Sequence, residues 1–381
     1  MSNFGMKQRC AFAAALVCTS MAARAEPWRL VVVGDSRGSY NGVNTPILTE
    51  LAAAIVAEQP DLLLFPGDLV EGSSNNSTFT SQLNNWVSIM QPVYNAGIEV
   101  LAIRGNHENT GSVTVWNTVF TGAYAMPANG PAGEVNCTYS LQHREAFIAG
   151  LDVYLSHPHR VNQSWLDAQL AANHRPHIFI FAHEPAFKAY HTDCLDDYPT
   201  NRDVFWESIV AAHGRTYFCG HDHFYDHARI DDGDGNPDND VHQVIVATGG
   251  APLYVFNGVY NGVNDGYIPR QQYYESNYGY VVIEIDGLQV TLQWKHRAAA
   301  GVYSAVETWN YLAHPQPYAG DLNCDGVVNF DDVDPFVLLL TDAAGYAAAY
   351  PGCPLQNGDI NGDGLVDFDD INPFVTLLTG N

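Results

Sequence analysis

Short apolar runs recur along most of the chain, each closing on a polar residue and a loop. Those at 29–33, 61–65, 99–103, 146–151, 177–181 and 216–219 are almost unbroken rather than alternating. Such runs predict strands of sheets covered on both faces. Between the first two, residues 46–57 carry a helical stripe of Ile47, Leu48, Leu51, Ile55 and Val56. Thr45 suits the cap position, Pro46 the first turn, and Pro60 stops the helix. Later runs at 241–247, 280–285 and 289–294 follow one another with little helix between them. The pattern predicts an α/β (α+β) fold of two packed sheets with helices outside.

The pattern fades over 299–319, where Pro315 and Pro317 predict a linker. Residues 320–381 then hold 11 Asp and no Glu, Lys or Arg, the sharpest composition shift in the chain. This segment repeats itself. Asp321, Asn323, Asp325, Asn329 and Asp332 place oxygen donors at positions 1, 3, 5, 9 and 12 of a loop with Gly326 at position 6. Asp359, Asn361, Asp363, Asp367 and Asp370 do the same around Gly364. Val327 and Leu365 would add backbone carbonyls at position 7. Apolar runs at 336–340 and 374–378 predict an exiting helix after each loop. The loops read as Ca²⁺ sites, so folding of this part should be linked to calcium. The acidic stretch 231–240 lacks a full twelve-residue pattern and reads as a hairpin loop, with a further calcium site as the alternative.

The charge balance is strongly acidic: 16 Lys and Arg against 42 Asp and Glu, a formal charge of −26. That leaves no nucleic-acid-binding footprint and disfavours anionic lipid. At the N-terminus, Lys7 and Arg9 precede an apolar run at 11–17, and Ala23-Arg24-Ala25 fits small-x-small cleavage. Residues 1–25 are therefore expected to be a signal peptide of an exported protein, whether secreted, periplasmic or held at the cell surface. No later apolar run has the length of a membrane span. Export permits disulfides. Cys324 and Cys353 share the acidic module and are the first expected pair, Cys219 reads as a buried thiol, and the pairing of Cys137 with Cys194 stays open.

The polar residues at the strand ends form five blocks: Gly34-Asp35-Ser36-Arg37, Gly67-Asp68-Leu69-Val70-Glu71, Gly105-Asn106-His107-Glu108, His183-Glu184 and Gly220-His221-Asp222-His223. Strand ends are where open α/β sheets place ligand sites. Carboxylate, amide oxygen and imidazole together suit divalent Mn, Fe or Zn. Two such ions can clamp an in-line displacement and acidify a water that serves as nucleophile.

These blocks, in this order, resemble the calcineurin-like metallophosphoesterase family, including its purple acid phosphatase branch, over residues 29–298. The resemblance implies a four-layer αββα sandwich spanning 26–298 and hydrolysis of a small phosphate ester by metal-bound hydroxide. A phosphomonoester is favoured by the stretch 126–139, with a phosphodiesterase or nucleotidase as the alternative. It also implies that Asp68 bridges two transition-metal ions, that Asp35 and His223 hold the first, and that Asn106, His183 and His221 hold the second. His107 would be the general acid, oriented by Glu108. Where the family has a His in the first block, this chain has Arg37, which would face substrate or form a structural ion pair. Where purple acid phosphatases have a Tyr, it has Glu71, a candidate ligand of the first ion with water as the alternative. His157 and His191 are further candidates for substrate contact. A non-catalytic phosphate- or partner-binding protein is the rival reading that Arg37 and Glu71 keep open. Residues 320–381 resemble the dockerin type I module, which implies a small α-helical calcium-binding domain and a possible cohesin-like partner.

Overall fold

The structure is a computed structural model that describes residues 26–38, 41–263 and 266–379. The signal peptide expected at 1–25 lies outside the described residues. Elements run in the order β1 Trp28–Val32, α1 Thr45–Glu58, β2 Leu62–Phe65, α2 Asn76–Asn95, β3 Glu99–Ala102, α3 Asn106–Asn109, α4 Val113–Val119, β4 Tyr139–His143, β5 Ala146–Leu151, α5 Gln163–Ala171, β6 His177–Ala182, α6 Pro199–Ala211, β7 Thr216–Cys219, β8 Tyr225–Asp231 and β9 Val241–Val246. They continue with β10 Ile268–Glu275, β11 Gly279–Asp286, β12 Gln289–Ala299, β13 Val302–Leu312, α7 Val333–Thr341, α8 Ala343–Ala349 and α9 Ile371–Thr379. Among the described residues no helix is long and apolar enough to cross a membrane.

The strands form two mixed sheets, ordered β13-β12-β11-β1-β2-β3 and β10-β8-β9-β7-β6-β5-β4. β1, β2 and β3 run parallel, as do β5, β6, β7 and β9, so their C-terminal ends gather on one rim. The sheets face each other: Tyr225 of β8 stacks on Trp294 of β12 with ring centres 4.2 Å apart, and the Tyr139 hydroxyl of β4 donates to the Ala102 carbonyl of β3 at 2.9 Å. Helices cover the outer sides. Trp86 of α2 packs edge-on against Phe65 of β2, and Phe205 and Trp206 of α6 against Tyr217 of β7. The result is a mixed α/β sandwich. Strands β2 and β6 are buried along their whole length, which is why their sequences do not alternate.

Several local expectations need correction. Asn44, not Thr45, caps α1, with its Oδ1 accepting the Ile47 N–H. The linker expected over 299–319 is mostly strand. β13 pairs antiparallel with β12 and carries the first sheet to its edge; its largely exposed side chains give it the polar look that reads as linker. Only 313–319 connects to the acidic module. The stretch 231–240 is the loop of the β8–β9 hairpin, and its Asp and Asn side chains accept nearby backbone N–H groups.

The C-terminal module has its own small core of Leu322, Phe336, Leu339, Tyr346 and Phe374 around a Cys324–Cys353 disulfide. Cys137, Cys194 and Cys219 are free and buried, which settles the open pairing. The two repeats pack together through Phe336 and Phe374, whose ring centres lie 4.6 Å apart. The module sits against the sandwich, where Arg175 Nη1 donates to the Asp325 carbonyl at 2.7 Å and His174 stacks on Tyr318.

Candidate metal centre

The five blocks converge on the shared rim because each follows a strand of the two facing sheets. Asp35, Asp68 and His221 adopt the left-handed backbone region, with φ of 59°, 51° and 71°. Non-glycine residues rarely hold that conformation, and it concentrates at functional sites. Two glycines make the turns this tight. A methyl at Gly105 would run into the Asp68 carboxylate, and one at Gly220 into that of Asp35.

Four potential ligand atoms form a nest. His183 Nε2 lies 3.0 Å from Asn106 Oδ1, 3.3 Å from His221 Nδ1 and 3.5 Å from Asp68 Oδ1. His221 Nδ1 lies 3.3 Å from Asn106 Oδ1. The outer nitrogens assign the tautomers. His183 Nδ1 faces the Pro66 carbonyl at 2.8 Å, so it carries the proton and Nε2 turns a lone pair inward. His221 has its outer Nε2 3.6 Å from the Asp193 carboxylate and its inner Nδ1 in the nest. His223 repeats the device: Nδ1 donates to the Pro252 carbonyl at 2.8 Å, and Nε2 faces Asp35 Oδ1 at 3.5 Å. In the nest, the Asn106 and Asp68 oxygens and the His183 lone pair turn toward one another and toward His221 Nδ1, a donor set that suits a cation. A hydrogen-bonded partner on the outer nitrogen, as His183 and His223 have, is how ligating histidines are oriented. Asp35, Asp68 and His183 present ligand atoms within 4.8 Å of one another. The residues fit a divalent metal.

Electrostatics favour the same reading. Burial holds His183 down to about 4 and His223 down to about 3, so both are neutral imidazoles. Burial, together with the charge of Asp68, raises Asp35 well above the usual carboxylate range. Burial opposes protonation of His221, but Asp193, Asp222, Glu184 and Asp68 outweigh it and push that imidazole up to about 9. A cation must therefore displace a proton from His221. Apparent metal affinity is expected to rise with pH up to about 9, by about tenfold per pH unit for each proton released, as isothermal titration at pH 6, 7 and 8 would read. A flat profile would refute a protonated metal-free His221.

His107 lies beside the nest, one-fifth exposed, with Nε2 3.9 Å from Asp68 Oδ2. Its ring is not held by Glu108, as the resemblance implied. Nδ1 faces the backbone carbonyl of Glu71 at 2.7 Å. Glu108 instead turns beneath the site, where its fully buried carboxylate accepts the N–H groups of Asp68, Val70 and Gly105 at 2.8–3.0 Å. The Glu71 carboxylate does not reach toward Asp35. It pairs with Arg37 Nη1 at 3.1 Å and is 43% exposed. Arg37 Nε lies 3.6 Å from Asp68 Oδ2.

His191 does reach the rim. Its ring centre is 4.4 Å from that of His221, and its Nδ1 bonds Asp222 Oδ1 at 2.6 Å. His157 is exposed beside Glu134. Sequence reading missed Asp193, Asp222 and Tyr254. Asp222 was visible between two ligand histidines. Tyr254, which stacks on His223 with ring centres 4.3 Å apart, comes from a loop with no motif, and Asp193 from another.

Residues 29–249 match the sequence family described as calcineurin-like phosphoesterase. No curated protein matches the chain by sequence. Among solved structures, the purple acid phosphatase PPD1 from yellow lupin (Lupinus luteus) seeds is similar with a TM-score of 0.59 and 15% identity, over 75% of this chain and 54% of the lupin chain. The chain thus spans about half the length of that enzyme. GAP50, the anchor in the inner membrane complex of Plasmodium, gives a TM-score of 0.55 and 13% identity over 85% of this chain and 95% of its own. A dimetal phosphatase from Danio rerio gives 0.50 and 12% over 75% and 99%. At these identities the likeness is one of fold.

Proposed function

The chain belongs to the calcineurin-like phosphoesterase family, hydrolases of phosphoric esters, and from that premise we propose that it is an exported phosphomonoesterase working at the rim centre. The observation that carries the reading is the convergence of ligand atoms of Asp68, Asn106, His183 and His221 in one nest, with His107 beside it. Divalent Mn, Fe or Zn bound there would act as a Lewis acid toward phosphoryl oxygens and acidify water. The chain's own residues do the rest. The Glu71 carbonyl fixes the His107 ring through Nδ1, so that in the imidazolium form Nε2–H is the proton offered to the leaving oxygen. Monoester preference is supported by the likeness of 126–139 to the purple acid phosphatase branch.

The test is hydrolysis of p-nitrophenyl phosphate and its bis-ester by full-length mature chain loaded with Mn²⁺ or Zn²⁺. Less than one metal per chain and no turnover of either ester would sink the reading and leave a binding role. Faster turnover of the bis-ester would replace monoesterase with diesterase. The His107→Ala variant is expected to lower kcat by about 10²–10³-fold with metal content unchanged. Equal loss of metal would make His107 a structural residue.

We also propose that the C-terminal module binds calcium and docks on a cohesin-like protein. Both loops fold alike: Asp332 Oδ1 accepts the N–H groups of Leu322 and Asn323, and Asp370 Oδ1 those of Ile360 and Asn361. Phe330 and Phe368, at equivalent positions, are 73% and 71% exposed and suit a partner surface. Binding of a cohesin-type protein by the full chain only in the presence of calcium is the test of docking. Burial, with Asp332 and Asp325 nearby, pushes Asp321 up to about 7. A carboxyl raised in the folded state costs stability as pH climbs from its unfolded value through its folded one. Without calcium the module should thus unfold at lower urea at pH 8 than at pH 5, and calcium should reverse that order. No effect of calcium at pH 8 would reject the site. Export is supported by the segment 1–25 and by the disulfide; a secreted chain beginning at Glu26 on N-terminal sequencing is the expected result, and one that retains residues 1–25 would reject cleavage there.

A further inference from the structure

Asp68 turns its two oxygens toward two different neighbours. Oδ1 faces the imidazole and amide nest, 3.5 Å from His183 Nε2, while Oδ2 faces Arg37 Nε at 3.6 Å. The Arg37 side chain is only 16% exposed and is anchored by Glu71 at 3.1 Å. Its backbone is fixed as well, by an N–H bond to the Asp68 carbonyl and an isolated bridge to Val43. Tyr254, stacked on His223, brings its hydroxyl to the guanidinium as a hydrogen-bonding neighbour. Among the described residues Arg37 Nε is buried and makes no hydrogen bond, with Asp68 Oδ2 as a charged neighbour 3.6 Å away, so a charged donor at the centre is incompletely satisfied. Buried donors are almost always satisfied, and an orphan at a site marks a place for a ligand acceptor.

We infer that Arg37 takes the place of a second metal ion: the centre holds one transition-metal ion, in the nest of Asp68, Asn106, His183 and His221, and Arg37 offers its Nε–H to a phosphoryl oxygen of the substrate. A second divalent ion would have to share Asp68 Oδ2 with a guanidinium that cannot lose its proton. The planar guanidinium suits phosphate, which it can bind as a fixed cation.

The inference rests on the phosphoesterase reading and is tested apart from it. Full-length chain is stripped, reloaded with Mn²⁺ in excess calcium to keep the C-terminal loops occupied, and desalted. Metal per chain is counted by mass spectrometry, and electron paramagnetic resonance tells isolated from coupled Mn²⁺. The expected result is one ion per chain with an isolated six-line signal in wild type, and two coupled ions in Arg37→His. Arg37→Gln should keep one ion and its melting temperature while binding inorganic phosphate about tenfold more weakly, the scale of one charged hydrogen bond. Two coupled ions in wild type, or phosphate affinity unchanged in Arg37→Gln, would overturn the inference and leave the phosphoesterase standing. Absence of any bound Mn²⁺ in wild type would remove both.

Discussion

An Asp68→Asn chain is expected to lose bound metal and at least ~10³-fold of its hydrolytic rate while staying folded, because the change removes charge from the centre of the nest. Asp68 is the residue on which the site turns. Its Oδ1 accepts the His107 N–H at 3.0 Å and faces His183 at 3.5 Å, and its Oδ2 faces Arg37 and His107. An amide keeps the size and one acceptor but cannot neutralise a cation. The metal-free fold has less to lose. Asp35 and Glu108 both feel the charge of Asp68 as repulsion, and removing it offsets the lost attraction to Arg37, His183, His107 and His221. The metal-free variant should therefore melt within a few degrees of metal-free wild type. Metal analysis, calorimetry and steady-state kinetics on the same preparation check all three points. Retained metal and turnover would show that the nest is not the catalytic centre.

Replacing Glu108 should act in the opposite way, on the fold first and the chemistry second. Its carboxylate ties the ends of β2 and β3 together by accepting the N–H groups of Asp68, Val70 and Gly105. In Glu108→Ala those buried donors are orphaned. At about 1–3 kcal/mol for each of three buried groups left unsatisfied, a loss of about 3–9 kcal/mol is expected in the urea extrapolation, the low end if water reaches the gap. Metal affinity should fall with it, since the positive-φ turn at Asp68 loses its clamp. A pH signature separates this from general damage. Burial and the charge of Asp68 push Glu108 up to about 8, so the metal-free wild type should lose stability as pH rises from about 4.5 toward 8. Glu108→Ala should show a shallower fall over that window. An unchanged slope would mean that Glu108 is not the group titrating there.

The roles of Glu108 and Asp68 mark where reading along the chain stops. A block such as Gly-Asn-His-Glu shows which donors stand at a strand end, and Asn106 and His107 are where that reading puts them. It does not show which way each side chain turns in the folded loop. Glu108 was expected behind His107, yet a carbonyl of the neighbouring loop, that of Glu71, holds the imidazole. Glu71 was offered as a metal ligand, and its carboxylate is taken by Arg37 from a loop 34 residues earlier. Similar limits apply to secondary structure. The apolar strands were legible because burial on both faces leaves an unbroken run. Edge strand β13 was not, since its side chains are mostly exposed. Helix α2 was passed over although Phe79, Leu83, Trp86, Met90 and Val93 lie on its buried face, because polar residues separate them and Pro92 sits near its end.

By itself the sequence determined the class of the sandwich, the six ligand candidates Asp35, Asp68, Asn106, His183, His221 and His223, the acidic repeat and the cysteine pair within it. These are local features: a strand's burial is written in its run of apolar residues, and a donor's chemistry in its side chain. Only the tertiary structure decided how the donors share a cation and what surrounds them. The tautomers of His183 and His223 depend on the Pro66 and Pro252 carbonyls, far away in the chain. The same holds for the facing of Asp68 toward both the nest and Arg37. Such pairings arise when two sheets close on one rim and bring loops from distant strands within hydrogen-bonding distance, a geometry that no spacing along the chain encodes.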